Sequence, residues 1–548
     1  MKKKYVRWTL WTIASPFILF IILCILIYLP PIQNFLVDKA AVYASEATGM
    51  NISVGRISLS FPLNLVVTNV DAASPHNDTL LSVRRLQVNV QLLPLLKKQV
   101  EVDGISLQGA TVNSNDLIHG MKLNGTLGEL FISSHGVALD PETAIVNKVL
   151  LKDTDLSLCL NDTAAADTAA SDTTYWKIIL QDIDLQNVSF ALDMPLDSLS
   201  LAASLDNAIL RDGLIDLHKS AYSLQTFRIE NGRVRYDNGK PLAADSLSSG
   251  LDPSHIALTD IGVKLDSLYY GGRNMKAIIS QFVLKERSGV EIVSATGRMV
   301  SNDKVLRVPS LKLETRDSYL ELNAAMDWNA LDFKDEGLVS ARLMADIGKP
   351  DVVRFMGSMD EKFIRQYPSE PLRIRTGIDG DLNKLKLTTL TAELPGALGL
   401  FARGELTHLT DSLLRGGDIT LEAETKDLKF VSTLAEGIEI PYGTRLEGKF
   451  TMAGTKMGTD LLLMQPEAQA VVAADTIPIT VYNDSISVAD DFKMERAARL
   501  FAKYDLSRDR YEADLAVNHF DLHQFMPADS LYTLSLSLIH ISEPTRPY

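Results

Sequence analysis

The chain has 548 residues, of which 46% are hydrophobic, so it contains ample apolar surface to fold. Its 54 basic and 69 acidic residues give a net charge of −15, which argues against a general nucleic-acid or anionic-membrane binder. Two cysteines cannot form a disulfide framework, and no Cys/His cluster has zinc-binding spacing. At roughly 150 residues per domain, length alone predicts three or four domains.

A basic segment followed by a long apolar one predicts a membrane anchor at the N-terminus. Lys2, Lys3, Lys4 and Arg7 precede residues 8–29, in which no charged residue occurs. At about 1.5 Å of rise per residue, a helix of this length crosses a bilayer core of about 30 Å. The anchor includes aromatic residues suited to a membrane helix and its interfaces, namely Trp8, Trp11, Phe17, Phe20 and Tyr28.

The basic residues before this helix orient the N-terminus toward the cytoplasm. A cleaved signal peptide is the alternative, but its apolar region spans only about 7–15 residues and ends in a small-residue cleavage site. Here the apolar stretch is longer and continues into Pro30 and Pro31. We therefore expect a cytoplasmic tip and an uncleaved signal-anchor over 1–31, in a single-pass inner-membrane protein whose bulk is periplasmic.

The C-terminal residues are interpreted as not belonging to the natural protein. The string LSLIHISEPTR at 536–546 matches the in-frame translation of a transposase-type sequencing adapter. We therefore treat 536–548 as an adapter-derived tail and leave it out of the fold prediction. The natural protein is then expected to continue beyond residue 535.

Between these ends, the pattern predicts one amphipathic helix and then a long periplasmic β region. Residues 32–49 carry apolar side chains at spacings of three and four, and Gly49 is a natural stop. Residues 50–535 mostly alternate apolar and polar side chains, as strands with one covered face do. Gly55 interrupts this alternation and predicts a bulge. The fold class predicted is mainly β, with an N-terminal transmembrane helix.

Several features interrupt the strands. Asp153, Asn187, Asn231 and Gly262 lie near changes of parity, which predicts turns or bulges between successive strands. Residues 161–174 are polar and of low complexity, and they predict an exposed loop. Two further segments have apolar residues at helical spacing, and we predict helices there, at 351–367 and 490–503.

No catalytic motif is present in the sequence. The patterns GxxxxGK[ST], HExxH, GxSxG and CxxC do not occur. His519 and His523 are four apart, but the alternation before them predicts a strand rather than a metal-binding helix face. The acidic pair Asp360 and Glu361 is more typical of a solvated loop or helix than of catalytic carboxylates. We predict no enzyme activity, no cofactor and no metal.

A short pattern of Asp, then Ser or Thr, then a small or aliphatic residue recurs, for example at 197–199, 266–268 and 411–413. Turn chemistry explains it, because Asp and Ser are favoured where strands begin and end. The pattern also resembles the periplasmic O-glycosylation acceptors of Bacteroides-type bacteria. Both interpretations can hold at once.

Several stretches resemble the family of AsmA-like proteins and TamB, the translocation and assembly module subunit. ATGMNISVG at 47–55 leads into LSFPL at 59–63, and DTLLSV at 78–83 leads to LLPLL at 92–96. The segment 504–527 looks like the Bacteroidetes branch of TamB. The terminal domain that defines TamB is missing here, so TamB and other AsmA-like members both remain open.

The resemblance implies an elongated, curled, taco-like β-sheet whose apolar groove serves phospholipid transport, protein secretion or outer-membrane assembly in a Gram-negative envelope. It implies phospholipids, the inner membrane and, through the missing C-terminal region, an outer-membrane barrel as partners, without nucleic acid. We expect the groove to be lined by apolar residues of the alternating segments, namely Leu59, Phe61, Leu63, Leu65, Leu86, Val88, Val90, Leu107, Leu385 and Leu387.

Two other classes of protein fit parts of the pattern. One is a membrane-anchored structural or adhesion array of β-sandwiches whose apolar faces are closed. It should show a domain linker about every 100 residues, and the single clear low-complexity break at 161–174 favours continuity instead. The other is an envelope enzyme with a dispersed site, against which the motif search counts.

Overall fold

The structure, a computed structural model, describes a defined set of residues, namely 39, 41–42, 45–46, 48–60, 64–74, 79–91, 102–114, 120–138, 142–161, 175–239, 250–333, 337–356, 360–434, 439–466, 494–517, 520–521 and 535–536. Several sequence predictions fall outside this set: the anchor at 8–29, most of the loop at 161–174, His519 and His523. The anchor residues outside it are Trp8, Trp11, Phe17, Phe20 and Tyr28, and the groove residues outside it are Phe61 and Leu63. Across the described ranges, no helix is both long enough and apolar enough to cross a membrane.

The described part of the chain is mainly β, as the alternation predicts. Before the first strand, the described residues from 39 to 48 are helical, and Gly49 follows with a φ of +69°. Its backbone N–H donates to the carbonyl of Ser45 at 2.9 Å, which ends the helix. The described residues divide into two compact units: those of unit 1 lie within 1–246, 253–272 and 284–287, and those of unit 2 lie within 247–252, 273–283 and 288–548.

Unit 1 is built from long strands. They are β1 (Asn51–Ser60), β2 (Asn64–Ala73), β3 (Thr79–Val90), β4 (Val102–Asn113), β5 (Met121–Ala138), β6 (Thr143–Leu160), β7 (Lys177–Met194), β8 (Leu199–Asp216), β9 (Ala221–Leu224), β10 (Thr226–Asn238) and β11 (His255–Gly271). From β1 to β8 each strand pairs with the next, and the short β9 and the longer β10 both pair with β8 and β11. These described pairs are antiparallel except β6 and β7, which are parallel.

Unit 2 repeats the hairpin plan. After β12 (Asn274–Glu286), which the two units share, its strands are β13 (Glu291–Ser301), β14 (Val305–Thr315), β15 (Tyr319–Asp327), β16 (Leu338–Ile347), β17 (Leu372–Asp381), β18 (Lys384–Leu394), β19 (Leu398–Thr407), β20 (Gly416–Thr425), β21 (Arg445–Ala453), β22 (Lys456–Pro466), β23 (Met494–Asp505) and β24 (Arg510–Val517). From β13 to β24 each pairs antiparallel with the next. Two-residue strands β25 (Phe520–Asp521) and β26 (Ser535–Leu536) pair with each other.

Short helices lie between strands. They are α1 (Trp328–Leu331), α2 (Lys349–Met356) and α3 (Glu361–Gln366), with single 3₁₀ turns at Pro195–Asp197 and Val431–Thr433. The sequence predicts one continuous helix at 351–367, whereas the structure has α2 and α3 with 357–359 outside the described residues. Phe363 of α3 packs with Tyr367 and Phe430 in an aromatic cluster at one end of the unit 2 strands.

The helix predicted at 490–503 is wrong where the structure describes it, because residues from Met494 onward form β23. Leu463 pairs with Ala498 and Met464 with Arg496, so the ladder skips Ala497 as a bulge. This extra buried residue, followed by Leu500 on the strand, gives the spacing of three that imitates a helix.

The bulge predicted at Gly55 is also corrected. The parity of apolar residues does change there, but Val54 pairs with Val70 and Arg56 with Thr68, so the register of β1 and β2 is unchanged. The partner strand carries the matching irregularity at Asn69, whose φ is +50°.

Asp153, Asn187 and Asn231 do not connect successive strands. They lie inside β6, β7 and β10, each with a φ near +50°, and Gly262 lies inside β11 two residues after Asp260, which has the same conformation. The register of β10 and β11 does shift between Ile229 and Gly232, opposite Gly262, so a bulge is confirmed there. The parity changes in the sequence mark positions within long strands rather than their ends.

Candidate functional site

In unit 1, apolar side chains are paired with apolar side chains across ten strands. The first such row, which we call row A, consists of Leu59, Leu65, Val88, Ile105, Ile132, Val149, Ile183, Leu210, Phe227 and Leu265. Two residues further along each strand, row B consists of Ile57, Val67, Leu86, Leu107, Leu130, Leu151, Leu185, Ala208, Ile229 and Val263.

The structure brings together most of the groove residues that were predicted in this unit. Leu59, Leu65 and Val88 lie in row A, and Leu86 and Leu107 lie in row B. Val90 pairs with Val102 at the end of the β3–β4 ladder. They belong to one apolar face because side chains two residues apart on a strand point the same way.

Most of these side chains are half-buried rather than enclosed. All ten side chains of row A, and all those of row B except Ala208, keep part of their surface in contact with solvent. In the described part of unit 1 this face is therefore not enclosed as the core of a closed sandwich would be. It is the kind of contiguous exposed patch that marks a binding surface.

Unit 2 carries the same feature. An unbroken aliphatic row, which we call row C, crosses β13 to β24 and consists of Ala295, Leu313, Leu320, Ala345, Ile374, Ala392, Leu400, Ala423, Leu446, Leu463, Ala498 and Val517.

The two groove residues predicted in unit 2 lie near one end of β18. Leu385 pairs with Leu406 of β19, and Leu387 pairs with Ile378 of β17 and Gly404 of β19. Gly404 has no room for a larger side chain, because a Cβ there would lie 2.2 Å from the carbonyl oxygen of Asp418. The close approach of β19 to β20 therefore requires glycine at this position of β19.

A polar row crosses unit 1 beside row B. Its paired members are Arg56, Thr68, Arg85, Gln108, Glu129, Lys152, Gln186, Asn207 and Glu230. In each strand, the residue beside this paired member has no Cα partner in the register of the neighbouring strand. These omitted residues all lie at the same level of the sheet. They are Gly55, Asn69, Arg84, Gly109, Gly128, Asp153, Asn187, Asp206 and Asn231.

This polar row keeps one face of the sheet apolar. Lys152 and Asp153 are consecutive and both exposed, and so are Gln186 and Asn187. Side chains along a strand normally alternate between the two faces. Because two consecutive side chains lie on the polar face here, the apolar residues beyond the row return to the same face as those before it. Asn69, Gly109, Asp153, Asn187 and Asn231 have φ values between +49° and +61°. Asn, Asp and Gly are the residue types that adopt this conformation most readily.

Side chains along the polar row bond to one another. The amide of Asn187 donates to the Asp153 carboxylate at 2.9 Å, and the amide of Asn231 donates to Asp206. A Cβ on Gly128 would lie 2.7 Å from the Cβ of Asp153, so the row is tightly spaced there. These contacts tie neighbouring strands together at the level where the ladder is interrupted.

The described residues contain no group of three or more metal-ligating side chains. Asp360 caps α3 by accepting from the backbone of Lys362 at 2.8 Å, and Glu361 pairs with Arg365 at 3.3 Å, as a solvated helix start would. Both acids thus have structural contacts.

One buried acid lies in unit 2. Asp351, 1% exposed, accepts hydrogen bonds from Thr315 and from Ser318 at 2.6 Å, and Arg354 donates to it at 2.9 Å. Burial opposes its ionisation, but the bonds from Ser318, Thr315 and Arg354 together with the charge of Arg354 outweigh burial, so the pKa of Asp351 is lowered. It anchors α2 to the β14–β15 turn.

The recurring Asp-Ser/Thr pattern has no single structural setting. The copies at 197–199 and 411–413 lie at or in turns, whereas 266–268 lies inside β11. Turn chemistry accounts for the first two and does not account for the third.

Sequence reasoning missed most members of rows A and C, and it missed the polar row. Ile183, Leu210 and Phe227 have the same alternation as Val88, but only the pairing of strands shows that they share a row. Compared with known proteins, the chain matches no protein-family model and no curated protein sequence.

Proposed function

We propose that this chain is a periplasmic, inner-membrane-anchored protein of the AsmA-like/TamB type that carries phospholipid acyl chains along its apolar sheet face. The observation that carries the proposal is the continuity of rows A, B and C across successive strands. On this proposal each unit forms part of an elongated, curled sheet, and an outer-membrane barrel is a partner of a longer chain. No nucleophile, metal or cofactor takes part.

The physical basis is the hydrophobic effect. Each CH₂ group removed from water contributes about 0.8 kcal/mol, so an acyl chain laid across several strands gains many such increments. The row A positions are aliphatic or aromatic, so none of their side chains can form a hydrogen bond with a bound lipid. A lipid is therefore held without a specific polar contact and can move from one position to the next at little cost.

A β-sandwich array is the alternative. In a sandwich the apolar faces of two sheets pack on each other at about 10 Å. Within the described residues of unit 1, the side chains of rows A and B are half-buried, with Ala208 the exception, which favours an open face over a closed one.

The test uses photo-crosslinking in cells. A benzophenone side chain replaces Val88 in unit 1 or Leu387 in unit 2, and matched controls carry it at Gln87 and Lys386, their neighbours on the opposite face. We expect phospholipid adducts at Val88 and Leu387 and none at the two controls.

Two results would count against lipid carriage. Capture of protein alone at Val88 and Leu387 would support closed sandwich faces. Equal lipid capture at Gln87 and Val88 would show that the probe samples the membrane without distinguishing the faces of the sheet.

A further inference from the structure

Three neighbouring hairpins of unit 2 end at the same level of the sheet. Gly416, Ala453, Lys456, Asp505 and Arg510 pair in sequence across β20 to β24, so the β19–β20, β21–β22 and β23–β24 turns lie side by side. Their exposed apolar residues form what we call the hairpin-tip surface, namely Leu413, Leu414, Met457, Tyr504, Leu506 and Tyr511.

Three of these side chains are more than half exposed. Leu413 is 77% exposed, Leu414 64% and Tyr511 54%. Isolated apolar residues are common on protein surfaces, but a contiguous group at one edge marks an interaction site.

The backbone of the tips is already satisfied. The N–H groups of Leu413 and Leu414 donate to the Asp411 carboxylate at 2.8 and 3.2 Å. Gly454 donates to the carbonyl of Arg415 at 2.7 Å, and Leu506 donates to that of Thr455 at 2.9 Å. The turns therefore present their leucines on a pre-organised frame, and these N–H groups lose no hydrogen bond when the tips leave water.

Composition points to a lipid surface rather than to a protein strand. Met457, Tyr504 and Tyr511 form a transverse row, and tyrosine is favoured where the hydrocarbon core of a membrane meets its headgroups. On the opposite face of the same strand ends lie the basic residues Lys456, Lys503 and Arg510, together with Asp505 and Glu512, of which Glu512 is 3.8 Å from Arg510. Basic residues near apolar ones suit the anionic headgroup layer.

The acidic residues of these tips are occupied locally. Asp505 accepts from Ser507 and Thr455, and Asp509 accepts from the Tyr504 hydroxyl at 2.8 Å. A hydrogen bond leaves a carboxylate charged, but basic residues balance the acidic ones within 411–415, 453–457 and 503–512. Five basic residues stand there beside four acidic ones, so this edge does not share the acidic excess that gives the chain its net charge of −15.

We propose that the hairpin-tip surface inserts into the interface of a phospholipid membrane and docks this edge of unit 2 on it. The transverse row of Met457, Tyr504 and Tyr511 has the same strand parity as Leu461, Leu500 and Leu515, so the inserted edge continues into the apolar face of unit 2. This goes beyond acyl-chain carriage, because it assigns the place at which a membrane meets the sheet.

The test measures membrane insertion at single labelled positions. A measurement of vesicle binding by the whole chain would instead report mainly on the predicted N-terminal anchor. The full chain, with Cys24→Ala and Cys159→Ala, receives one cysteine at Leu413, Leu506 or Leu434 and a bimane label, and is held in a nanodisc. Leu434 is the control, because it is an equally apolar, 55% exposed residue at the opposite end of the strands. Vesicles of phosphatidylcholine and phosphatidylglycerol with brominated acyl chains are then added.

We expect bromine to quench the labels at Leu413 and Leu506 and to leave the label at Leu434 unchanged. Leu414→Ser combined with Leu506→Ser should raise the vesicle concentration for half-maximal quenching at Leu413 by about tenfold or more, because two inserted side chains are lost. Leu434→Ser should not change it.

Three outcomes would overturn the proposal. They are no quenching at Leu413, equal quenching at Leu434, and a spectral shift at Leu413 that depends on protein concentration without vesicles, which would assign the surface to a second copy of the chain. Crosslinking at Val88 and Leu387 does not use these residues, so failure here and failure of lipid carriage are distinguishable.

Discussion

The polar row of unit 1 makes a prediction about Asn187. This residue has a φ of +52°, and its side-chain amide donates to Asp153 at 2.9 Å. A left-handed conformation costs an L-residue about 1–2 kcal/mol, and a β-branched side chain tolerates it worst. Loss of one exposed hydrogen bond adds about 0.5–1 kcal/mol. We expect Asn187→Val to destabilise unit 1 by about 2–3 kcal/mol.

Asn187→Gly separates the two contributions. Glycine loses the same hydrogen bond but adopts the positive φ without steric cost, although its backbone entropy costs about 0.5–1 kcal/mol. The hydrogen-bond loss cancels between the two variants, and the entropy cost of glycine offsets part of the conformational cost of valine, so we expect the valine variant to be less stable than the glycine variant by about 0.5–1 kcal/mol. Gln186→Val is the matched control, because Gln186 is the exposed neighbour in the regularly paired part of the ladder. Its effect should stay within about 0.5 kcal/mol.

The assay is urea unfolding followed by the fluorescence of Trp176, which lies beside β7 in unit 1, with Trp8, Trp11 and Trp328 replaced by Phe. Because the urea m-value of a domain is typically about 1–3 kcal/mol/M, the expected gap between the two variants is a midpoint shift of about 0.2–0.5 M. Equal midpoints for the valine and glycine variants would refute the assignment of positive φ to this position. A comparable loss in Gln186→Val would instead assign the effect to valine itself.

Further predictions concern the apolar face, a glycine contact and the buried acid. Ile105→Asp, next to Val88 in row A, should reduce lipid capture at Val88 several-fold because an ionised carboxylate resists burial, while Ser106→Asp on the other face should not. Gly404→Ala should destabilise unit 2 by about 1–3 kcal/mol in thermal unfolding, because its Cβ would lie 2.2 Å from the Asp418 oxygen, whereas Gly399→Ala in the same strand meets nothing within 4 Å and should be neutral or stabilising. Asp351→Asn should flatten the acid dependence of unit 2 stability. With its pKa lowered in the folded state, wild-type Asp351 contributes stability above the unfolded value of about 3.9 and loses it as the pH falls through the folded pKa.

The sequence was sufficient for the strands but not for their pairing. Leu86, Val88 and Leu107 could be assigned to one face, because side-chain parity is a local property of a strand. Their membership in rows that cross ten strands depends on register, which is set by contacts distant in the chain. Ile183 and Leu210 were therefore not recognised as continuing the face that Val88 begins.

The parity changes show how a local pattern can have two structural origins. An extra residue at Asp153 or Asn187 shifts parity whether the chain turns there or continues straight through. Whether the strand ends or continues depends on its neighbours. If the neighbouring strands carry an extra residue at the same level, the pairing register is preserved and the strand continues. Gly109 and Gly128 supply that match between Arg84 and Asp153.

The polar row and the apolar rows are consequences of one requirement. Strands β5 to β8 are each 18 residues long, about three times the usual strand length of about 5–6 residues, so each carries a long apolar face that must be covered. In the described part of unit 1 the side chains of rows A and B, apart from Ala208, are only half-buried, so they depend on another apolar partner to leave water completely. A bound acyl chain would fill that role and would stabilise the folded state in proportion to its occupancy. On this argument, lipid carriage and the stability of the long strands have the same physical origin, and the polar row ensures that both halves of each strand contribute to the same face.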